Sequence, residues 1–126
     1  MDLNRTPAAI ANVAAEEIRA LNHRTLDPKA FEQPSDVSNV VNGLAMLTER
    51  LEQAINQTGS GLRQFHDRNA IRMDDGSNVD ERVAVVAQEL LSAQIALGAL
   101  KDHLRAAASP LSHMGSPWDD DEDGAE

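Results

Sequence analysis

Between Val83 and Ala107 apolar residues recur every seven positions in two interleaved sets. One set reads Val83, Leu90, Leu97 and Leu104, and the other, three residues on, reads Val86, Ala93, Leu100 and Ala107. Spacings that alternate three and four place side chains along one seam of an α-helix. The repeat therefore predicts a helix over about 79–108 whose seam is the core of the fold. Asn78 is suited to cap its start and Glu81 to complete a capping box. Asp80 and Glu81 suit the positive end of the helix dipole, and Pro110 is expected to stop the helix. A second, weaker stripe (Ala84, Ala87, Leu91, Ile95, Gly98) makes this helix apolar on two faces, as expected of a helix lying between two neighbours.

Upstream, Val37, Val40, Val41, Leu44, Leu47, Leu51, Ala54 and Ile55 trace a long stripe, predicting a helix over about 36–72. Gly59-Ser60-Gly61 interrupts it. Two glycines cost about 2 kcal/mol against alanine inside a helix, so one long helix and two helices parted at 58–61 stay open. Leu62, Phe65, Asn69 and Ile71 are placed to continue the stripe, and Asp74-Asp75-Gly76-Ser77 reads as a turn. A first helix is expected over about 7–23, capped by Thr6 with Pro7 in its first position, its stripe being Ile10, Val13, Ala14, Ile18 and Leu21. The connector from Thr25 to Pro34 carries Leu26, Ala30 and Phe31, with Phe31 the expected anchor onto the bundle. No run alternates at period two long enough to suggest a strand. The predicted class is all-α: a three-helix bundle dominated by a long antiparallel hairpin over residues 1–108, followed by a disordered acidic tail over 109–126.

Composition supports close helix packing: the aromatic residues are Phe31, Phe65 and Trp118 alone. Cysteine is absent, which removes disulfides and thiolate metal sites. No stretch approaches the ~18–20 uninterrupted apolar residues of a membrane span, and the N-terminal segment lacks a cleavable signal pattern. These features suggest a cytoplasmic protein, with leaderless secretion as the route should it be exported. Arginine far outnumbers lysine, a bias of high-GC bacterial genomes. The net charge of −10 is concentrated at the C-terminus, where Asp119, Asp120, Asp121, Glu122, Asp123 and Glu126 fall within the last eight residues. An acidic chain disfavours direct nucleic-acid binding, which needs a basic face for the phosphates.

Catalytic and metal chemistry find no support in the spacing. His23, His66, His103 and His113 fall in separate segments, and no nucleophile lies at a telling distance from a base. No cofactor is implied, because Gly59-Ser60-Gly61 lacks the lysine and preceding strand of a phosphate loop. Arg63, Arg68 and Arg72 form a candidate basic patch, to be weighed against a helical face balanced by Asp67 and Asp74. Leu91 and Ile95 are candidate contact residues on the second stripe. Trp118, followed by Asp119, Asp120, Asp121 and Glu122, has the form of a linear docking motif, a ring for a pocket and acids to steer it toward a basic rim.

Two long helices joined by a tight polar turn and followed by an acidic tail resemble the W-x-G helical hairpins of type VII secretion. The resemblance spans roughly Ser35 to Glu122. Asp74-Asp75-Gly76 stands where that family has Trp-x-Gly, and Trp118 with Glu122 matches its tail spacing of an aromatic residue and an acid four positions on. It implies a secreted helical hairpin. The residues themselves point to a non-enzymatic interaction protein that binds a partner with a basic or groove-like surface and self-associates as a homodimer through its second stripe. A further alternative is an acidic inhibitor occupying a nucleic-acid-binding surface on its target.

Overall fold

A computed structural model describes residues 1–118 and contains three α-helices: α1 (Pro7–Arg24), α2 (Pro34–Asp67) and α3 (Val79–Leu111). The all-α class and the dominant hairpin follow the sequence expectation, and no strand occurs among the described residues. Asp119, Asp120, Asp121 and Glu122 lie outside the described residues.

Each helix start is built by local hydrogen bonds. Thr6 Oγ1 accepts from the Ala9 N–H at 3.2 Å, and Pro7 fills the next position. The Asp36 carboxylate accepts from the N–H groups of Glu32 and Gln33 at 2.8 and 3.1 Å, tying down the entry to α2, with Pro34 as its first residue. Asn78 Oδ1 accepts from the Glu81 N–H at 3.0 Å. The expected return bond from the Glu81 side chain is not formed among the described residues, so Asn78 caps α3 by itself.

Packing between elements joins α2 to α3, while α1 touches neither. In the connector Leu26 is 78% exposed, whereas Phe31, the expected anchor, is 37% exposed. Along α2, the residues turned toward α3 are Ser38, Val41, Ala45, Thr48, Glu52, Ile55, Gly59, Leu62 and His66, an unbroken alternation of three and four whose members are all buried or half-buried. Gly59 sits opposite Leu90, close enough that a Cβ on the glycine would lie 3.5 Å from Leu90 Cδ1. Counting outward from that pair in antiparallel order sets Ala45 level with Leu104, Glu52 with Leu97, Thr48 with Lys101 and Ile55 with Gln94. Gly59 against Leu90, Ala45 against Leu104 and Thr48 against Lys101 each set a small residue against a larger one, which lets the backbones approach closely there. Glu52 against Leu97 and Gln94 against Ile55 instead set a polar residue against an apolar one. Ala45 is fully buried, and Ser38 and Thr48 nearly so. Thr48 Oγ1 satisfies its donor at the Ala45 carbonyl, 2.7 Å away.

This register corrects half of the expected seam. Val83, Leu90, Leu97 and Leu104 face α2 as expected, but their companions are Ala87, Gln94, Lys101 and Ala108, four residues on. Val86 and Leu100, expected in the seam, are 42% and 46% exposed, because they lie beside the interface and not in it.

Three boundaries also differ from expectation. No break occurs at 58–61: half-buried Gly59, Ser60, Gly61 and Leu62 pack along α3, and Thr58 Oγ1 donates to the Ala54 carbonyl at 2.8 Å. Tertiary contact here outweighs the propensity cost of the glycines. α2 ends at Asp67, because Asn69 takes a φ of 53°. The Asn69 N–H then reaches the His66 carbonyl at 3.0 Å and the Ala70 N–H the Phe65 carbonyl at 2.9 Å, closing a Schellman motif. α3 continues through Pro110 to Leu111. The proline gives up one N–H in the last turn, yet the N–H groups of Ser112, His113 and Met114 still find the carbonyls of Ala108, Pro110 and Leu111 at 3.0–3.1 Å.

Candidate interaction surface

The hairpin is a two-helix layer, and its two broad sides differ in chemistry. One side is identified by a bridge across it: Arg105 Nη2 donates to Glu49 Oε1 at 2.8 Å. That hydrogen bond and the guanidinium charge hold the Glu49 carboxyl below its usual range, with smaller help from Lys101 and Arg50. Asn42, Asn56 and Arg63 share this polar side at heptad spacing from Glu49. A shallow groove of about 380 Å³ runs along it, bordered by Asn56, Gly59 and Arg63 of α2 and by Ala87, Leu90 and Leu91 of α3. Leu91 and Ile95, one turn apart, stand out of this side at 57% and 68% exposure.

The opposite side carries no charge along the length of α2. Val37, Val40, Leu44, Leu47, Leu51, Ala54, Thr58, Gly61 and Phe65 follow one another at spacings of three and four, one position before each seam residue. Across the interface Arg82, Val86, Glu89, Ala93, Ala96, Leu100, His103 and Ala107 hold the equivalent place on α3, so Glu89 and His103 interrupt a run that is otherwise apolar after Arg82. Leu51 and Phe65 are 43% and 50% exposed, comparable with Val86 and Leu100. Sequence reasoning placed these residues in the core, so it missed this face as a surface. The signal was present in the adjacent pairs Val40-Val41 and Ala54-Ile55, since a stripe two residues wide exceeds what one seam can cover.

The three arginines of the expected basic patch are not gathered. Arg63 borders the groove, Arg68 caps the end of α2 with its guanidinium 4.9 Å from the Phe65 ring centroid, and Arg72 lies in the connector. Their separation follows from α2 ending at Asp67. His66 Nε2 lies 2.7 Å from Asp80 Oδ1, clasping the connector end of the hairpin. In the connector itself Asp75 accepts from the hydroxyl and the N–H of Ser77, which holds its carboxyl below the usual range, and Gly76 has a φ of 74°. Among the described residues no group of three or more His, Asp or Glu is placed to hold a metal ion. α3 is long and apolar enough by composition to cross a membrane, with a window of mean hydropathy 1.6, although here its seam is taken by α2.

Trp118 follows α3 without regular structure and is 93% exposed. The acids expected to act with it lie beyond the described residues. No family model, no curated protein and no solved structure matches this chain.

Proposed function

We propose that this chain is a non-enzymatic interaction protein, a helical hairpin that presents side chains to a protein partner and uses its acidic Trp-bearing tail as a second contact. The observation that carries this reading is the exposure of Leu91, Ile95 and Trp118, large apolar groups left mostly open to solvent. Tryptophan is among the side chains most enriched at binding hot spots. The partner fitted to such a tail has a pocket for the ring and a basic rim for the acids.

The test uses pull-downs with the intact protein and with Trp118→Ala, followed by affinity measurement on any partner recovered. Loss of the ring is expected to weaken binding by more than ~2 kcal/mol, the hot-spot scale. Neutralising Asp119, Asp120 and Asp121 is expected mainly to slow association and lower its salt dependence. Unchanged affinity in Trp118→Ala would end the docking-motif reading. A second reading is a secreted hairpin of the type VII kind, favoured by the position of Trp118 just beyond a hairpin of two helices of nearly equal length. It is tested by asking whether export from the native cell depends on Trp118 and Glu122.

A further inference from the structure

Among the described residues no other helix covers the apolar side of the hairpin, since α1 does not contact α2 or α3. We propose that a second copy of this chain covers it, the two hairpins stacking apolar side to apolar side around a two-fold axis. This rests on the reading of the chain as an interaction protein, and adds which face is used and what occupies it.

Area argues for a second copy. α2 and α3 are 34 and 33 residues long. At a rise of ~1.5 Å per residue and ~10 Å per helix width, the face measures about 50 by 20 Å, or roughly 1,000 Å². Stable pairs of proteins bury about 800 Å² per partner. The chain as a whole exposes 10265 Å², whereas a compact monomer of its mass would expose about 6,600 Å². A two-fold pair is self-complementary by construction, so one face, uncharged along α2 and interrupted on α3 by Glu89 and His103, serves both partners. The alternative occupant of such a face, a lipid surface, fits less well. Helices that lie on membranes flank their apolar face with lysine and arginine, while this chain has a net charge of −10 and places Asp36 beside the face and Glu89 within it.

The absence of cysteine makes the geometry directly testable. Leu51 lies near the middle of the apolar side, and Gln53 on the polar side at nearly the same height. The Leu51→Cys protein, treated with a short bismaleimide, is expected to give a covalent dimer in high yield, and Gln53→Cys is expected to give little. Sedimentation of the parent protein at tens of micromolar should show the dimer mass, and Leu47→Glu should shift it to monomer with helicity retained by circular dichroism. A monomeric parent overturns the proposal, as does cross-linking that favours Gln53→Cys. A Leu47→Glu protein that fails to fold leaves the cross-linking contrast to decide. Flotation with vesicles of mixed phosphatidylcholine and phosphatidylglycerol is expected to leave the protein unbound, and a monomer that floats would assign the face to lipid. Partner capture by a monomeric protein would sink the dimer alone. A dimer that captures nothing through Trp118 would sink the docking reading alone.

Discussion

Asn69 holds a left-handed backbone conformation that most side chains resist and that asparagine and glycine tolerate. Replacing it with alanine is expected to lower stability by about 1 kcal/mol, and with glycine to leave it unchanged or slightly raised. Denaturant midpoints of the two variants check this, and equal losses would mean that the asparagine side chain matters more than its φ. Sequence reading placed Asn69 on the continuing stripe, because hydrophobic spacing carries no information about a single dihedral angle. Glu49 supplies a second test. Its folded carboxyl titrates below the ordinary range because of Arg105, so the bridge contributes stability above that range and loses it as pH falls through the folded value. The pair is exposed and its effect small. Glu49→Gln should be less stable than the parent at neutral pH, and the difference should vanish at low pH. A gap that widens on acidification would contradict the assignment.

At the scale of elements, the heptad identified one track of α3 firmly and its companion wrongly, for a geometric reason. Residues three and four places from Val83, Leu90 and Leu97 lie on either flank of the same ridge, and only the partner helix decides which flank is covered. Val86 and Leu100 are the more hydrophobic choice, yet they are exposed while Gln94 and Lys101 are half-buried. The alanines do not discriminate, Ala93 being half-buried and Ala87 exposed. Gln94 Nε2 approaches the Glu52 carbonyl at 3.4 Å, which places a polar side chain inside the interface. Leu97→Ala is therefore expected to cost about 2–3 kcal/mol, near the low end for leucine truncation since the site is half-buried. Leu100→Ala should cost well under half of that in dilute solution. The discrepancy should narrow as protein concentration rises, because Leu100 gains a neighbour only on pairing. Thermal unfolding over a range of concentrations separates the two, and equal losses at the lowest concentration would restore Leu100 to the seam.

For the whole molecule, helix number, helix starts and the hairpin were legible because each rests on local signals: Thr6, Pro7, Asn78 and the apolar period. What the sequence left open depends on distance. Whether α1 packs, which flank of α3 is covered and whether 58–61 breaks are settled by contacts among residues far apart in the chain. Glycines at 59 and 61 signal a weak helix in isolation, and only their place along α3 explains why the helix continues. The candidate surface was half legible: Leu91, Ile95 and Trp118 stand out in the sequence, whereas Leu51 and Leu100 look like core and are exposed among the described residues.

The small-on-large pairs of the hairpin, Gly59 with Leu90 and Ala45 with Leu104, have a kinetic consequence. Sliding one helix past the other by a whole heptad, about 10.5 Å at ~1.5 Å per residue, still sets large residues against small ones. Apolar packing by itself therefore defines the interface without uniquely choosing its register. The choice falls to features that do not repeat: the bridge from Arg105 to Glu49 and the clasp of His66 on Asp80. Zipping outward from the connector between α2 and α3 closes only a little extra loop at each level, so folding of the hairpin should be quick. Chains that start zipping one heptad out would form a soft, long-lived wrong hairpin, escaped by unzipping toward the turn. The clasp beside the connector joins residues 14 apart, against 56 for the bridge from Arg105 to Glu49, so it closes the shorter loop and is expected to favour the native count.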